Sequence, residues 1–162
     1  MKSYETLKTI FKNERLGSFV FWFGILVFVD QLAKYFAFRF IKTESVISVS
    51  DVSLFGLQLY KNYDFAFSLP VLFPVIIGIY LVVLFVIFRY VWKNFTKFDS
   101  RSFVAWVFIL SGALSNVVER IFFGYVKDFV YILGGGIFNF ADFYILFGIV
   151  LLFSLEFRRK KL

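Results

Sequence analysis

Histidine and cysteine are both absent from the 162 residues, proline occurs only twice, and only 11 side chains are acidic. Each absence closes a class of chemistry. Without cysteine there is no disulfide and no thiolate nucleophile, and without histidine as well the usual zinc ligand sets are unavailable. Only oxygen ligands are left for a metal, and the expectation is no metal and no cofactor. What remains for acid and base work is carboxylate, amine and hydroxyl.

What is abundant is apolar. Hydrophobic residues make up 60% of the chain and aromatics 24%, a composition that water cannot disperse. Four stretches are long and apolar enough to cross a hydrocarbon core, which takes about 20 residues of helix. They run from Gly17 to Phe40, Pro70 to Trp92, Ser102 to Phe122 and Phe138 to Phe157. The expected fold is an all-α membrane protein of four transmembrane helices, residues 1–162 forming one domain. The first span has a long charged lead-in through Arg15, lacks a small-residue cleavage site, and is interrupted by Asp30 and Lys34. It reads as a retained helix and not as a removed signal.

Charge sets the expected orientation, because Lys and Arg accumulate in short cytoplasmic loops. Lys2, Lys8, Lys12 and Arg15 precede span one; Arg89, Lys93, Lys97 and Arg101 surround the turn between spans two and three; Arg158 to Lys161 close the chain. All fall on one side, so both termini are expected to be cytoplasmic. The net charge of +7 is then topological, with attraction to anionic lipid and no nucleic-acid partner. The remaining polar segments, 41–69 and 123–137, fall outside the cytoplasm. Ser45 to Ser50 and Leu54 to Tyr60 show partial period-two alternation with β-branched and aromatic residues, which predicts a small extracytoplasmic antiparallel sheet.

The chemistry-bearing residues crowd toward that side. Helical spacing in span three aligns Gly112, Asn116 and Arg120 on one stripe with Ser115 and Glu119 beside it. Taken alone this pattern is equally that of helix packing. Asp128 and Asp142 stand at the two ends of a short Gly-rich connection. A carboxylate near bilayer depth is costly unless it is paired, hydrated or protonated. Two that approach each other can share one proton and serve as general acid and general base. Asn139 with Asp142 three residues later is also the pattern of a helix N-terminal cap, and Asp128 alone could be a solvated loop residue. Asn62 precedes span two on the same side.

Four separated segments then form a known pattern: Asp30-Gln31-Leu32-Ala33-Lys34, Asn62 to Phe67, Gly112 to Phe129, and Phe138-Asn139-Phe140-Ala141-Asp142. In order and spacing the chain resembles the lipoprotein signal peptidase family, signal peptidase II, the aspartic peptidases of bacterial membranes. The resemblance implies a four-helix bundle with an outward β-cradle and assigns the catalytic pair to Asp128 and Asp142. It implies that Asn62, Gly112, Asn116, Arg120 and Asn139 border the active site, with Asp30, Lys34, Glu119 and Ala141 in support. Its implied substrates are diacylglyceryl-modified prolipoproteins, cut before the lipidated Cys by a monomeric enzyme of the cell membrane. The chain departs from the family at Asp64 for a Gly, Ser111 for the first of two glycines, Ser115 for a Gly and Glu119 for an Asp. Three other readings fit the same residues: a Ser-Lys peptidase built on Ser111 or Ser115 with Lys34, a small transporter, and a catalytically silent lipoprotein-binding relative.

Overall fold

The computed structural model describes residues 2–41, 45–49, 52–63, 73–132 and 136–159. Asp64 to Phe67 lie outside them. In chain order the elements are α1 (Lys2–Phe40), β1 (Ser45–Val49), β2 (Val52–Asn62), α2 (Phe73–Asn94), α3 (Ser100–Phe123), β3 (Val126–Ile132), β4 (Gly136–Phe138) and α4 (Phe140–Arg159). All four helices contain a stretch long and apolar enough to span a membrane, as expected. Boundaries of α2 and α3 shift by up to three residues, and two other starts differ as well. α1 begins at Lys2, well ahead of Gly17, because the charged lead-in is itself made of helix-forming residues; its membrane-length apolar part starts at Glu14. Phe138 belongs to a strand, and α4 starts two residues later.

The third helix is the axis of the bundle. Of its apolar window 56% is buried, against 6% for α1 and α2 and 17% for α4, whose apolar side chains face outward toward lipid. Its ends are chemically marked. The Asp99 side chain accepts the Ser102 N–H at 2.7 Å as N-cap. Gly124, at φ 78°, closes the other end by donating its N–H to the Arg120 carbonyl. That left-handed conformation favours glycine.

α3 and α4 pack through reciprocal small residues. A Cβ added to Gly112 would overlap the Ala141 carbonyl and come within 2.8 Å of Ile145; one added to Gly148 would sit 2.6 Å from the Ala105 carbonyl and from Ile109. Close backbone approach of this kind replaces the hydrophobic effect as the source of helix association in lipid. Gly112→Val is therefore expected to cost about 1–3 kcal/mol of stability, read as a lower unfolding temperature in detergent. An unchanged unfolding temperature would show that the two helices are not held at this contact.

The strands form one antiparallel sheet in the order β1-β2-β3-β4. β1 and β2 occupy the segments with period-two alternation. β3 lies within 123–137, which the sequence presented as a connection, and β4 runs from it into Phe138, so Asp128 sits within a strand. The bundle is consequently two-ended. Val91, Phe95 and Leu110, with Phe19, Phe23 and Trp106 against them, form an apolar core beside the α2–α3 turn. Asp30, Lys34, Ser115, Asn116, Glu119, Arg120, Asp128 and Asn139, all buried, collect toward the opposite end, under the sheet.

Candidate active site

Three elements bring the polar residues together. In the sheet, Tyr60 of β2 is registered opposite Asp128 of β3, which makes Asn62 its diagonal neighbour on the same face. Asn62 Nδ2 donates to Asp128 Oδ2 at 3.0 Å. From the start of α4, Asn139 Nδ2 donates to Asp128 Oδ1 at 2.6 Å. Both oxygens of the carboxylate are thus held by carboxamides, and Asp128 is 1% exposed.

Asn139 also holds the second aspartate. Its backbone N–H donates to Asp142 Oδ2 at 3.1 Å, and its side-chain oxygen accepts the Asp142 N–H at 3.0 Å. This is the reciprocal capping box that the spacing suggested. The capping role and the site role coincide in one residue, since the amide left over by the cap is the one that reaches Asp128. From α3, Asn116 Nδ2 donates to the other oxygen of Asp142 at 2.8 Å. Burial pushes the Asp128 carboxyl up to about 6; the Asn62 hydrogen bond works against that rise and the neighbouring Asp142 charge adds to it.

Beneath the pair lies a dry ionic network. Lys34 Nζ contacts Asp30 Oδ2 at 2.7 Å, Glu119 Oε2 at 3.2 Å and Asn116 Oδ1 at 2.8 Å, and Lys34, Asp30 and Glu119 are fully buried. Asp30 is more than the partner of Lys34 within one helix. Its Oδ2 accepts from the Ser115 hydroxyl at 2.6 Å, and its Oδ1 accepts the Ala141 N–H at 2.8 Å, next to Asp142. Glu119 accepts from the Lys127 N–H at 2.9 Å and from its ammonium at 3.0 Å, tying α3 to the residue before Asp128. The network therefore anchors both segments that carry the aspartates.

Asn62, Asn116, Arg120, Asp128 and Asp142 line one end of a cavity of about 1460 Å³. The Arg120 guanidinium lies 4.7 Å from the centre of the Tyr80 ring. Gly112 and Ala141 stand at the helix contact instead. Sequence reasoning did not single out Gln31, whose amide donates to the Ser115 hydroxyl at 2.8 Å, Lys127 or Tyr80. Adjacency to Asp128 in a strand was the available signal for Lys127. The Ser-Lys reading is overturned: Ser115 is bonded to Asp30 and Gln31, while Ser111 donates to the Phe108 carbonyl at 3.0 Å. Neither hydroxyl addresses Lys34, whose ammonium is already shared among three acceptors.

Four membrane helices with an enclosed polar cluster at the head of a cavity make this a polytopic membrane enzyme in architecture. Two solved bacterial membrane enzymes, determined by the in meso method at 2.3 and 1.9 Å, share the fold. Their TM-scores are 0.74 and 0.70 at 20% and 21% identity, covering 89% and 86% of this chain and 90% and 92% of theirs. The family model for signal peptidase (SPase) II matches residues 22–158, and the chain belongs to that peptidase family. It is 34% identical to the lipoprotein signal peptidase of Fusobacterium nucleatum, over 88% of this chain and 89% of that one. Against that of Borrelia hermsii it is 32% identical, over 86% and 89%.

Proposed function

We propose that this peptidase removes signal peptides from diacylglyceryl-modified prolipoproteins, cutting before the lipidated Cys, and that Asp128 and Asp142 are its catalytic residues. The observation that carries the reading is Asn139, which holds both carboxylates at once where the cavity meets the sheet. With no His or Cys in the chain, a carboxyl pair is the acid and base set that the site has to offer.

The ionised member of the pair takes a proton from a water molecule, whose oxygen attacks the scissile carbonyl carbon. The protonated member gives its proton to the carbonyl oxygen. Collapse of the tetrahedral intermediate breaks the C–N bond: the leaving nitrogen receives the proton taken from water, and the hydroxyl formed from the carbonyl returns its proton to the carboxylate that gave it, restoring the singly protonated pair. The two carboxyls share the proton and act as a unit. Both termini lie on the cytoplasmic side in this reading, with the sheet and the aspartates outside it, one chain acting alone. The substrate's acyl chains remain in the bilayer while the scissile bond reaches the carboxylates.

The test is cleavage of a diacylglyceryl-modified prolipoprotein in detergent, followed by gel shift across pH. The parent is expected to cleave, with kcat/KM falling as pH rises past about 6, because the singly protonated pair is then lost. Stability carries the same sign. The folded Asp128 holds its proton to about 6 and the unfolded one only to its ordinary 3.8, so the fold weakens between those values and is level above them. No cleavage by a folded parent would sink the proposal in favour of a silent binder, and a rate that is flat from pH 5 to 8 would sink the shared-proton mechanism.

A further inference from the structure

The cavity does not end at the aspartates. It continues between α2 and α4 along Ile145, Leu146, Ile149, Leu152 and Phe153, one α4 stripe at helical spacing, and finishes beside Tyr90, Ser102 and Glu156. Asp142 and Glu156 are 14 residues apart on one helix, about 21 Å at 1.5 Å per residue. Of its four charged lining residues, Arg120, Asp128 and Asp142 stand at the sheet end and Glu156 alone at the other.

Glu156 is exposed and forms no ion pair among the described residues. That is unexpected in its setting. Lys93, Lys97, Arg101 and Arg158 belong to the same end of the bundle, where a positively charged ligand would otherwise be repelled. Secretory signal peptides carry a basic N-terminal region followed by an apolar stretch of about 7–15 residues, roughly 10–22 Å when helical. The apolar length of the groove matches that stretch, and the acid lies where the basic region emerges.

We propose that Glu156 is a specificity-determining residue that receives the positively charged N-terminal region of the signal peptide while its apolar helix lies in the α2–α4 groove. The inference rests on the function proposed above. It makes the groove a two-point gauge, reading the scissile bond at one end and charge at the other.

The experiment compares the full-length parent, Glu156→Gln and Glu156→Lys on prolipoproteins whose N-terminal region is basic, neutral or acidic. The parent is expected to prefer the basic over the neutral substrate by about 2- to 5-fold in kcat/KM, the range of an exposed ion pair, with the difference in KM. The preference should shrink toward one in Glu156→Gln, reverse in Glu156→Lys and weaken with added salt. The same ratio in all three proteins would overturn the proposal while leaving the peptidase assignment intact. Binding of fluorescent signal peptides with the same three charges, to Asp128→Asn protein and its Glu156→Gln and Glu156→Lys derivatives, reads the preference without turnover. If the parent cleaves nothing, the function fails and this binding series still decides the role of Glu156: a charge preference that follows the Glu156 substitutions upholds it, and one indifferent to them overturns it.

Discussion

Asp128→Asn and Asp142→Asn are each expected to lower prolipoprotein cleavage by about 10³-fold or more, at the upper range of what one acid or base contributes, without unfolding the bundle. The hydrogen bonds explain why the fold survives. Asp128 accepts from Asn62 and Asn139, so its carboxamide replacement sets an NH₂ against one of these donors. Asn139 cannot rotate, since its oxygen is engaged by the Asp142 N–H, so the mismatch falls on Asn62, which is half-buried and borders the cavity. At Asp142 the opposing donor is Asn116, whose oxygen already accepts from Lys34. Asp142→Asn should therefore unfold at a lower temperature than Asp128→Asn. Gel-shift cleavage and thermal unfolding of both variants, side by side, check the two statements. Turnover at the parental rate by either variant would remove that residue from the mechanism.

Lys34→Met is expected to cost about 3–5 kcal/mol, the loss seen when one partner of a buried ionic group is removed. The ammonium has three buried acceptors and no access to water. Its removal strands the Asp30 carboxylate with only the Ser115 hydroxyl and the Ala141 N–H, and leaves Glu119 to Lys127. Because Ala141 adjoins Asp142 and Lys127 adjoins Asp128, the displacement spreads to both aspartates. Unfolding in detergent should show the loss, and adding Asp30→Asn and Glu119→Gln to Lys34→Met should restore much of the stability by removing the stranded charges. A single variant as stable as the parent would mean that the three groups are not jointly ionised in the fold.

Much of this architecture is legible in the chain because the membrane enforces it. Hydropathy alone locates four spans, and the alternation in 45–60 announces strands. The limits are equally physical. Hydropathy reports what lies in hydrocarbon and not where a helix ends, so the polar first part of α1 escaped it. β3 was concealed by its charged residues: Lys127 and Asp128 break the alternation, and burial of both Asp128 and Phe129 runs against period two. The i, i+4 spacing of Asp30 and Lys34 announced a local pair. Its wider attachments, to Ser115 and to the backbone of Ala141, are contacts 85 and 111 residues away that no spacing rule reaches. Asn139 was visible as a cap, yet its bond to Asp128 depends on a strand that the pattern did not disclose.

The capping of α4 by Asn139 has a consequence for how the protein comes into being. The aspartate pair is closed by the first turn of α4, which is synthesised after the other three helices and after the strand that carries Asp128. Until α4 has left the ribosome, entered the bilayer and wound its first turn, Asp128 has lost one of its two carboxamides and Asp142 has no fixed place. On the function proposed above, completion of this polar cluster and the onset of activity are then a single event.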